Sequence, residues 1–214
     1  IYVEAWAVGA VRGYLKQVPI PVETPVESFD LSPFFGPGFL TVTKLLEGNK
    51  QPFTGRVMLQ HGRIAKDLAE YFMISEQTPT TVVLSIQFDK QGVVVGAGGL
   101  FLQKLPGTND EGLEQVESIC SDMPSIGSFL AQGKDMKTYV QETFASVKPE
   151  YLSHEQLGFS CPCDRARFAG FLSALPDNEK ADILSDGPFP LELSCLNCGT
   201  DYTFSKDELE ALFG

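Results

Sequence analysis

Residues 159–163 read FSCPC and residues 193–199 read LSCLNCG. Four of the chain's five cysteines fall in these two tight pairs, Cys161-Pro162-Cys163 and Cys195-Leu196-Asn197-Cys198. Two pairs on two turns, joined by a helical hairpin, supply the four soft ligands that Zn2+ takes in a tetrahedron. Gly199 after the second pair suits a tight, ligand-bearing turn. The spacing speaks against four unrelated buried thiols. Three uses stay open at this point: a structural zinc ribbon, a metal-held redox switch, and a thiol oxidoreductase working through Cys195 and Cys198. The leading pair is C-x-C, not the C-x-x-C usual in ribbons. Metal-bound thiolates would be blocked as redox nucleophiles.

Around the pairs, residues 156–214 read as a small module. Phe168, Phe171, Leu172 and Leu175 lie on one helical face ahead of Pro176, and a short helix is expected over Glu179–Leu184. FPLELSC (189–195) alternates as a strand. Ser205 and Glu208 stand in capping-box spacing before Leu209, Leu212 and Phe213. A few Phe and Leu over about sixty residues make a core too small to hold without a staple. The module is therefore expected to fold with metal and unfold without it.

Working back along the chain, residues 108–155 show three short apolar stripes: Leu113, Val116, Ile119 and Cys120; Ile126, Phe129 and Leu130; Met136, Tyr139, Val140 and Phe144. Such short amphipathic helices are marginal alone and must lay their faces on something else, as a docked linker would. Cys120 reads as a buried, inert thiol. Residues 1–107 read as mostly antiparallel strands with a helix. Ile1–Val8 and Val11–Leu15 flank Gly9, and FLTVTKLL (39–46) and FTGRVMLQ (53–60) alternate. Ile64, Leu68, Tyr71 and Phe72 share a helical face. TVVLSIQF (81–88) and VVVGAGGLFLQ (93–103) form the clearest hairpin, with Gly96, Gly98 and Gly99 marking a bulge or a close backbone approach. Residues 22–38 read as a long surface loop. The fold class is α+β: a mostly antiparallel core domain with helices (1–107), a helical linker (108–155) and a four-cysteine zinc module (156–214).

Composition narrows the function classes. With 16 Lys+Arg against 28 Asp+Glu, the 214-residue chain carries a formal net charge of −12, which repels nucleic acid. Residues 156–214 hold four basic and ten acidic side chains, and four thiolates would add to that excess. Arg165 and Arg167, just after the first pair, read equally as charges set near the thiolates to offset it and as ordinary solvated arginines. No apolar run approaches membrane-spanning length, and IYVEAWAVGAVRGYLK lacks the features of an export signal. A reducing cytoplasm is the expected compartment, where paired cysteines hold metal or do redox chemistry more often than they form permanent disulfides. With only His61 and His154 available and no nucleophile elbow, no hydrolytic site is expected. His61 reads as a surface turn residue, and His154 as at most a surrogate ligand. GAGG (96–99) lacks a following helix and makes a poor phosphate loop. The chain opens on Ile1 with a strand already under way, so it is expected to be part of a longer protein.

CPCDRARF (161–168) and CLNCGTDYTFSKDELEALF (195–213) resemble the zinc module of the 33 kDa chaperonin family, the redox-regulated heat-shock holdases of bacteria. GAVRGYL (9–15), GRIAKDLAEYFMISEQTPT (62–80) and AGGLFLQKLPG (97–107) resemble stretches of that family's N-terminal domain. The resemblance covers essentially the whole chain, and family members carry a further N-terminal portion of the core domain. It implies a non-enzymatic, ATP-independent chaperone. Reduced protein is implied to bind Zn2+ through Cys161, Cys163, Cys195 and Cys198 and to be inactive. Oxidants are implied to form the disulfides Cys161–Cys163 and Cys195–Cys198, with loss of zinc, unfolding of the module and release of the linker. The exposed apolar surface then holds unfolding client proteins, and the active form is a homodimer. The alternative left standing is a structural zinc ribbon on a partner-binding α/β domain.

Overall fold

A computed structural model describes residues 1–22 and 30–214, so part of the loop read over 22–38 falls outside the described residues. The chain is mixed α+β, with antiparallel strand pairs and seven α-helices among the described residues. It divides into two compact units, Ile1–Thr24 with Leu152–Gly214, and Pro25–Tyr151.

The first unit opens with β1 (Tyr2–Ala5) and β2 (Ala10–Tyr14), an antiparallel hairpin in which Tyr2 faces Tyr14 and Ala5 faces Val11. Gly9 in its turn has φ +82°, and a Cβ there would lie 2.2 Å from the carbonyl oxygen of Gln156. Both the left-handed backbone and the space require glycine.

In the second unit, β3 (Phe39–Lys44) pairs antiparallel with β4 (Phe53–Met58). α1 (Ile64–Glu76) follows. Its start is fixed from inside the first turn, where Asp67, 3% exposed, accepts from the backbone N–H groups of Gln60, His61 and Arg63 at 2.8, 3.0 and 2.9 Å. Burial would raise this carboxyl, but those three donors outweigh it and hold it below the usual carboxylate range. The helix ends where Gln77 turns left-handed at φ 53°, two residues before Pro79. Its apolar stripe buries Tyr71 completely and sets Phe72 edge-on to Phe101, ring centres 4.9 Å apart.

β5 (Thr80–Phe88) and β6 (Val94–Gln103) form the expected hairpin, with the register shift at Gln87/Phe88 opposite Gly96. Then come α2 (Asp110–Asp122), α3 (Ile126–Leu130) and α4 (Met136–Thr143). Asn109, Ser125 and Asp135 cap them, each side chain accepting a first-turn N–H, which lets such short helices form at all. α3 lies on the hairpin. Ile126, Phe129 and Tyr139 make a buried cluster with Val83, Leu100, Leu130 and Met136 against it. The approach is backbone to backbone: a Cβ on Gly96 would fall 2.1 Å from the Gly127 carbonyl oxygen, and one on Gly127 would fall 2.7 Å from the Ile86 carbonyl carbon. Gly127 N–H donates to Ser85 Oγ at 2.9 Å, and Ser128 Oγ donates to Gln87 Oε1 at 2.8 Å. The glycines therefore mark both features expected of them, a bulge and a close approach.

The chain returns to the first unit at β7 (Gly158–Phe159), which pairs in parallel with β2 through Ala10/Gly158 and Val11/Phe159. α5 (Arg165–Ser173) is capped by Asp164, whose carboxylate accepts from Arg167 N–H at 2.7 Å. α6 spans Asp177–Asp186, longer at both ends than the expected 179–184 because it starts directly after Pro176. β8 (Leu191–Ser194) and β9 (Asp201–Phe204) pair antiparallel, and α7 (Lys206–Phe213) closes the chain with the Ser205–Glu208 capping box in place. The core here is larger than the sequence led us to expect. Leu172, Phe204 and Leu209 are buried, with Phe168, Leu175, Ile183, Leu191, Leu193, Leu212 and Phe213 among the residues packed on them. α5 and α7 contribute three apolar residues each, and α6, β8 and β9 two each. No helix among the described residues is long and apolar enough to cross a membrane.

Candidate metal centre

Cys161 and Cys163 lie on the turn between β7 and the α5 cap. Cys195 follows β8 directly, and a tight turn carries the chain to β9. In that turn Gly199, at φ 71°, donates its N–H to the Cys195 carbonyl at 2.8 Å, and Cys195 N–H donates to the Thr200 carbonyl at 2.9 Å. The β8–β9 pairing fixes where this turn points. The Asp164 cap fixes where the chain leaves the first pair.

The four sulfurs converge. Their Sγ atoms all lie within 4.8 Å of one another, with Cys195 buried and Cys198 the most exposed. Cys161 Sγ is 3.6 Å from Cys195 Sγ, and Cys163 Sγ is 3.3 Å from Cys198 Sγ. A tetrahedral Zn2+ with bonds of about 2.3 Å sets its sulfurs about 3.8 Å apart. The cage is of that size, and its donors are of the soft type, so the residues fit a zinc ion. All five cysteines are free thiols, and each sulfur of the first pair contacts one of the second.

The surroundings differentiate the thiols. The Thr200 hydroxyl, 3.2 Å from Cys198 Sγ, leads the groups that pull the Cys198 thiol down to about 6. Tyr202 donates its O–H to Cys163 Sγ at 3.1 Å, which opposes the shift there, yet Cys198 first and burial next push the Cys163 thiol up to about 12. Tyr202 is itself raised by that contact. Its ring stacks on Phe168 at 4.6 Å, which ties the donor to α5.

All four cysteines proposed from the sequence meet in one site, and among the described residues the cluster holds those four alone; His154 is not in it. Arg165 follows the solvated reading, its side chain 50% exposed. Its guanidinium donates to Glu208 Oε1 at 2.9 Å and to the Thr203 carbonyl at 2.7 Å, and lies over the Phe204 ring. Starting a helix at Arg165 turns that side chain toward β9 and α7. Arg167 donates its backbone N–H to the Asp164 carboxylate. Tyr202 and Thr200 were missed by sequence reasoning. The alternation of Tyr202 with buried Phe204 along β9 was the available signal for an inward-facing tyrosine. Cys120 is half-buried on α2, its thiol pushed up by burial and then by Glu117.

A family model described as Hsp33 protein matches residues 1–205. A 33 kDa chaperonin of Desulforamulus reducens is 36% identical over 214 residues, which is 99% of this chain and 72% of that protein. One of Streptococcus equi subsp. zooepidemicus is 36% identical over 208 residues, 95% of this chain and 70% of that protein. The crystal structure of the 33 kDa chaperonin of Thermotoga maritima superposes with a TM-score of 0.80 at 31% identity, covering 99% of this chain and 71% of that one.

Proposed function

The chain belongs to the Hsp33 family, and on that premise we propose that it is a redox-regulated, ATP-independent chaperone that holds unfolding proteins under oxidative and heat stress. The observation that carries the proposal is the convergence of four free thiols within 4.8 Å in a chain whose residues 1–205 match this family's model. Reduced protein would hold Zn2+ through Cys161, Cys163, Cys195 and Cys198, which would offset half of the thiolates' charge and tie the two turns together. Residues 156–214 serve as the switch, 108–155 as the linker and 1–107 as the core.

Oxidation proceeds within each pair. Cys161 and Cys163 give two electrons to one peroxide, forming one S–S bond and releasing two waters' worth of oxygen and hydrogen with the protons of the medium. Cys195 and Cys198 do the same with a second peroxide. The module thereby loses its four ligands, gives up the metal and unfolds. Release of the linker lifts Ile126, Phe129 and Tyr139 off Val83 and Leu100, adding apolar surface to the exposed Leu84, Ile86 and Phe101 of the same hairpin. Unfolded clients bind there, the active form is a homodimer, and the compartment is the cytoplasm. No catalytic residue is assigned.

The module's own core around Leu172, Phe204 and Leu209 favours a second reading, a structural zinc ribbon on a partner-binding domain. One experiment separates them. Zinc release is followed with a chromogenic chelator as peroxide is added at heat-shock temperature, with aggregation of a thermally unfolding client recorded in parallel. Zinc release and suppressed aggregation on one time course are expected. Holding by fully reduced, zinc-loaded protein, or zinc that stays bound under peroxide, would sink the switch.

A further inference from the structure

β2 is the middle strand of the sheet β1–β2–β7, and its two edges are held differently. On the β1 side, side chains reinforce the backbone ladder. The Tyr2 and Tyr14 rings lie 5.4 Å apart, Arg12 Nη2 donates to Glu4 Oε2 at 2.6 Å, and the guanidinium lies 5.0 Å from the Trp6 ring centre. On the β7 side the contacts are of backbone. Gly158 N–H donates to the Gly9 carbonyl at 2.9 Å, and Ser160 N–H to the Val11 carbonyl at 3.0 Å. Leu157 and Phe159 are 72% and 61% exposed, and a Cβ on Gly158 would meet nothing within 4 Å. This edge therefore reads a partner's main chain and leaves its side chains in solvent. β7 also covers little of it, pairing with two of the five residues of β2.

A two-stranded hairpin is marginal in water, and a third strand steadies it. β7 ends two residues before Cys161, so unfolding of the cysteine module withdraws that third strand and bares the edge. We propose that β7 is a built-in plug on a second client site: once the module unfolds, the β2 edge over residues 9–14 takes an extended segment of an unfolding protein as its new third strand. The inference rests on the switch reading above and adds to the apolar surface described there. The occupant is selected for being extended and unpaired, whatever its side chains, which suits a chaperone of many clients. Arg12, the one charged residue of β2, is neutralised across the hairpin by Glu4, so the strand favours clients of neither sign.

Strand geometry supplies the test. The Val11 carbonyl faces β7, whereas the Ala10 carbonyl accepts from Trp6 N–H at 2.9 Å on the β1 side. A strand residue's N–H points the same way as its C=O, so Val11 N–H reports the β7 edge and Arg12 N–H the β1 edge. Hydrogen exchange of both amides is followed by NMR in the full chain, with carboxymethylated lysozyme, which stays unfolded, as the client. Oxidation by peroxide should speed Val11 exchange more than about tenfold, the joint worth of the bonds to β7, and leave Arg12 nearly unchanged. Added client should restore protection at Val11. Gly158→Pro removes a donor of the plug and leaves β2 as it is. In reduced, zinc-loaded protein it should speed Val11 exchange roughly fivefold, the worth of one backbone hydrogen bond, and tighten client binding by the same factor. Val11 exchange that stays slow in oxidised, client-holding protein, or fast once client is bound, overturns the inference and leaves the switch reading standing. Joint loss of protection at Val11 and Arg12 does the same, because the hairpin itself then melts, as does a Gly158→Pro chain with wild-type exchange and wild-type client binding. Oxidised wild type that holds no client overturns both.

Discussion

Gly127→Ala should free the linker without oxidant. A Cβ at position 127 would lie 2.7 Å from the Ile86 carbonyl carbon, 2.9 Å from Gln87 N and 3.0 Å from Ile86 Cα. All three are backbone atoms of a paired strand and cannot step aside. Ordinary contact needs about 3.4 Å or more, so α3 must rise by most of an ångström. That lift stretches the 2.9 Å bond from Gly127 N–H to Ser85 Oγ beyond hydrogen-bonding range. Overpacking costs about 1–3 kcal/mol, and a lost bond in a half-buried seam about 1 kcal/mol. Taken together at about 3 kcal/mol, the undocked population rises roughly a hundredfold. Hydrogen exchange read by mass spectrometry over residues 126–140 should therefore accelerate about a hundredfold in reduced, zinc-loaded protein. The same sample should suppress client aggregation in reductant. Exchange within about threefold of wild type would refute the reasoning, because the glycine contact would then not be what seats the helix.

Tyr202→Phe keeps the stack on Phe168 and removes the donor to Cys163; zinc affinity by chelator competition should fall about tenfold, and peroxide should strip the metal faster. Leu209→Ala empties a fully buried position of the module core at a cost of about 3 kcal/mol; urea melts of the zinc-loaded protein should show the module unfolding early while the Pro25–Tyr151 unit keeps its midpoint. Asp67 has a depressed folded-state pKa, so its contribution is fully present above the unfolded value of about 4 and is lost as pH falls through the lower folded value. Asp67→Asn should remove that acid step and cost about 2 kcal/mol at neutral pH, because an amide N–H2 then faces a backbone donor; an unchanged acid transition would count against the assignment.

The features legible in the sequence were the local ones. C-x-C and C-x-x-C mark out by spacing the four cysteines that converge, Ser205 and Glu208 cap a helix three residues apart, and the β5–β6 hairpin alternates over its whole length. The unread features depend on register between distant segments. β7 is two residues long, too short for any periodicity, yet it pairs with β2 from the far end of the chain. Tyr202 gains its role only through the β8–β9 pairing and the stack on Phe168. Arg165 stayed open between two readings because closeness in sequence does not decide direction: the first turn of α5 aims it at Glu208. The module core was underestimated for the same reason, since Leu172, Phe204 and Leu209 come from three separate elements.

The pairing of Ala10 and Val11 with Gly158 and Phe159 also bears on how the chain is made. It closes a loop of about 150 residues, at an entropic cost of about 4 kcal/mol beyond a constant. During synthesis the β1–β2 hairpin emerges first and its partner strand much later, after about 10–30 s at ordinary elongation rates. Through that interval the free edge of β2 is open to strand addition by any neighbouring nascent chain. The four-cysteine module, contiguous in sequence, can fold as soon as it leaves the ribosome, and its arrival retires the exposed edge.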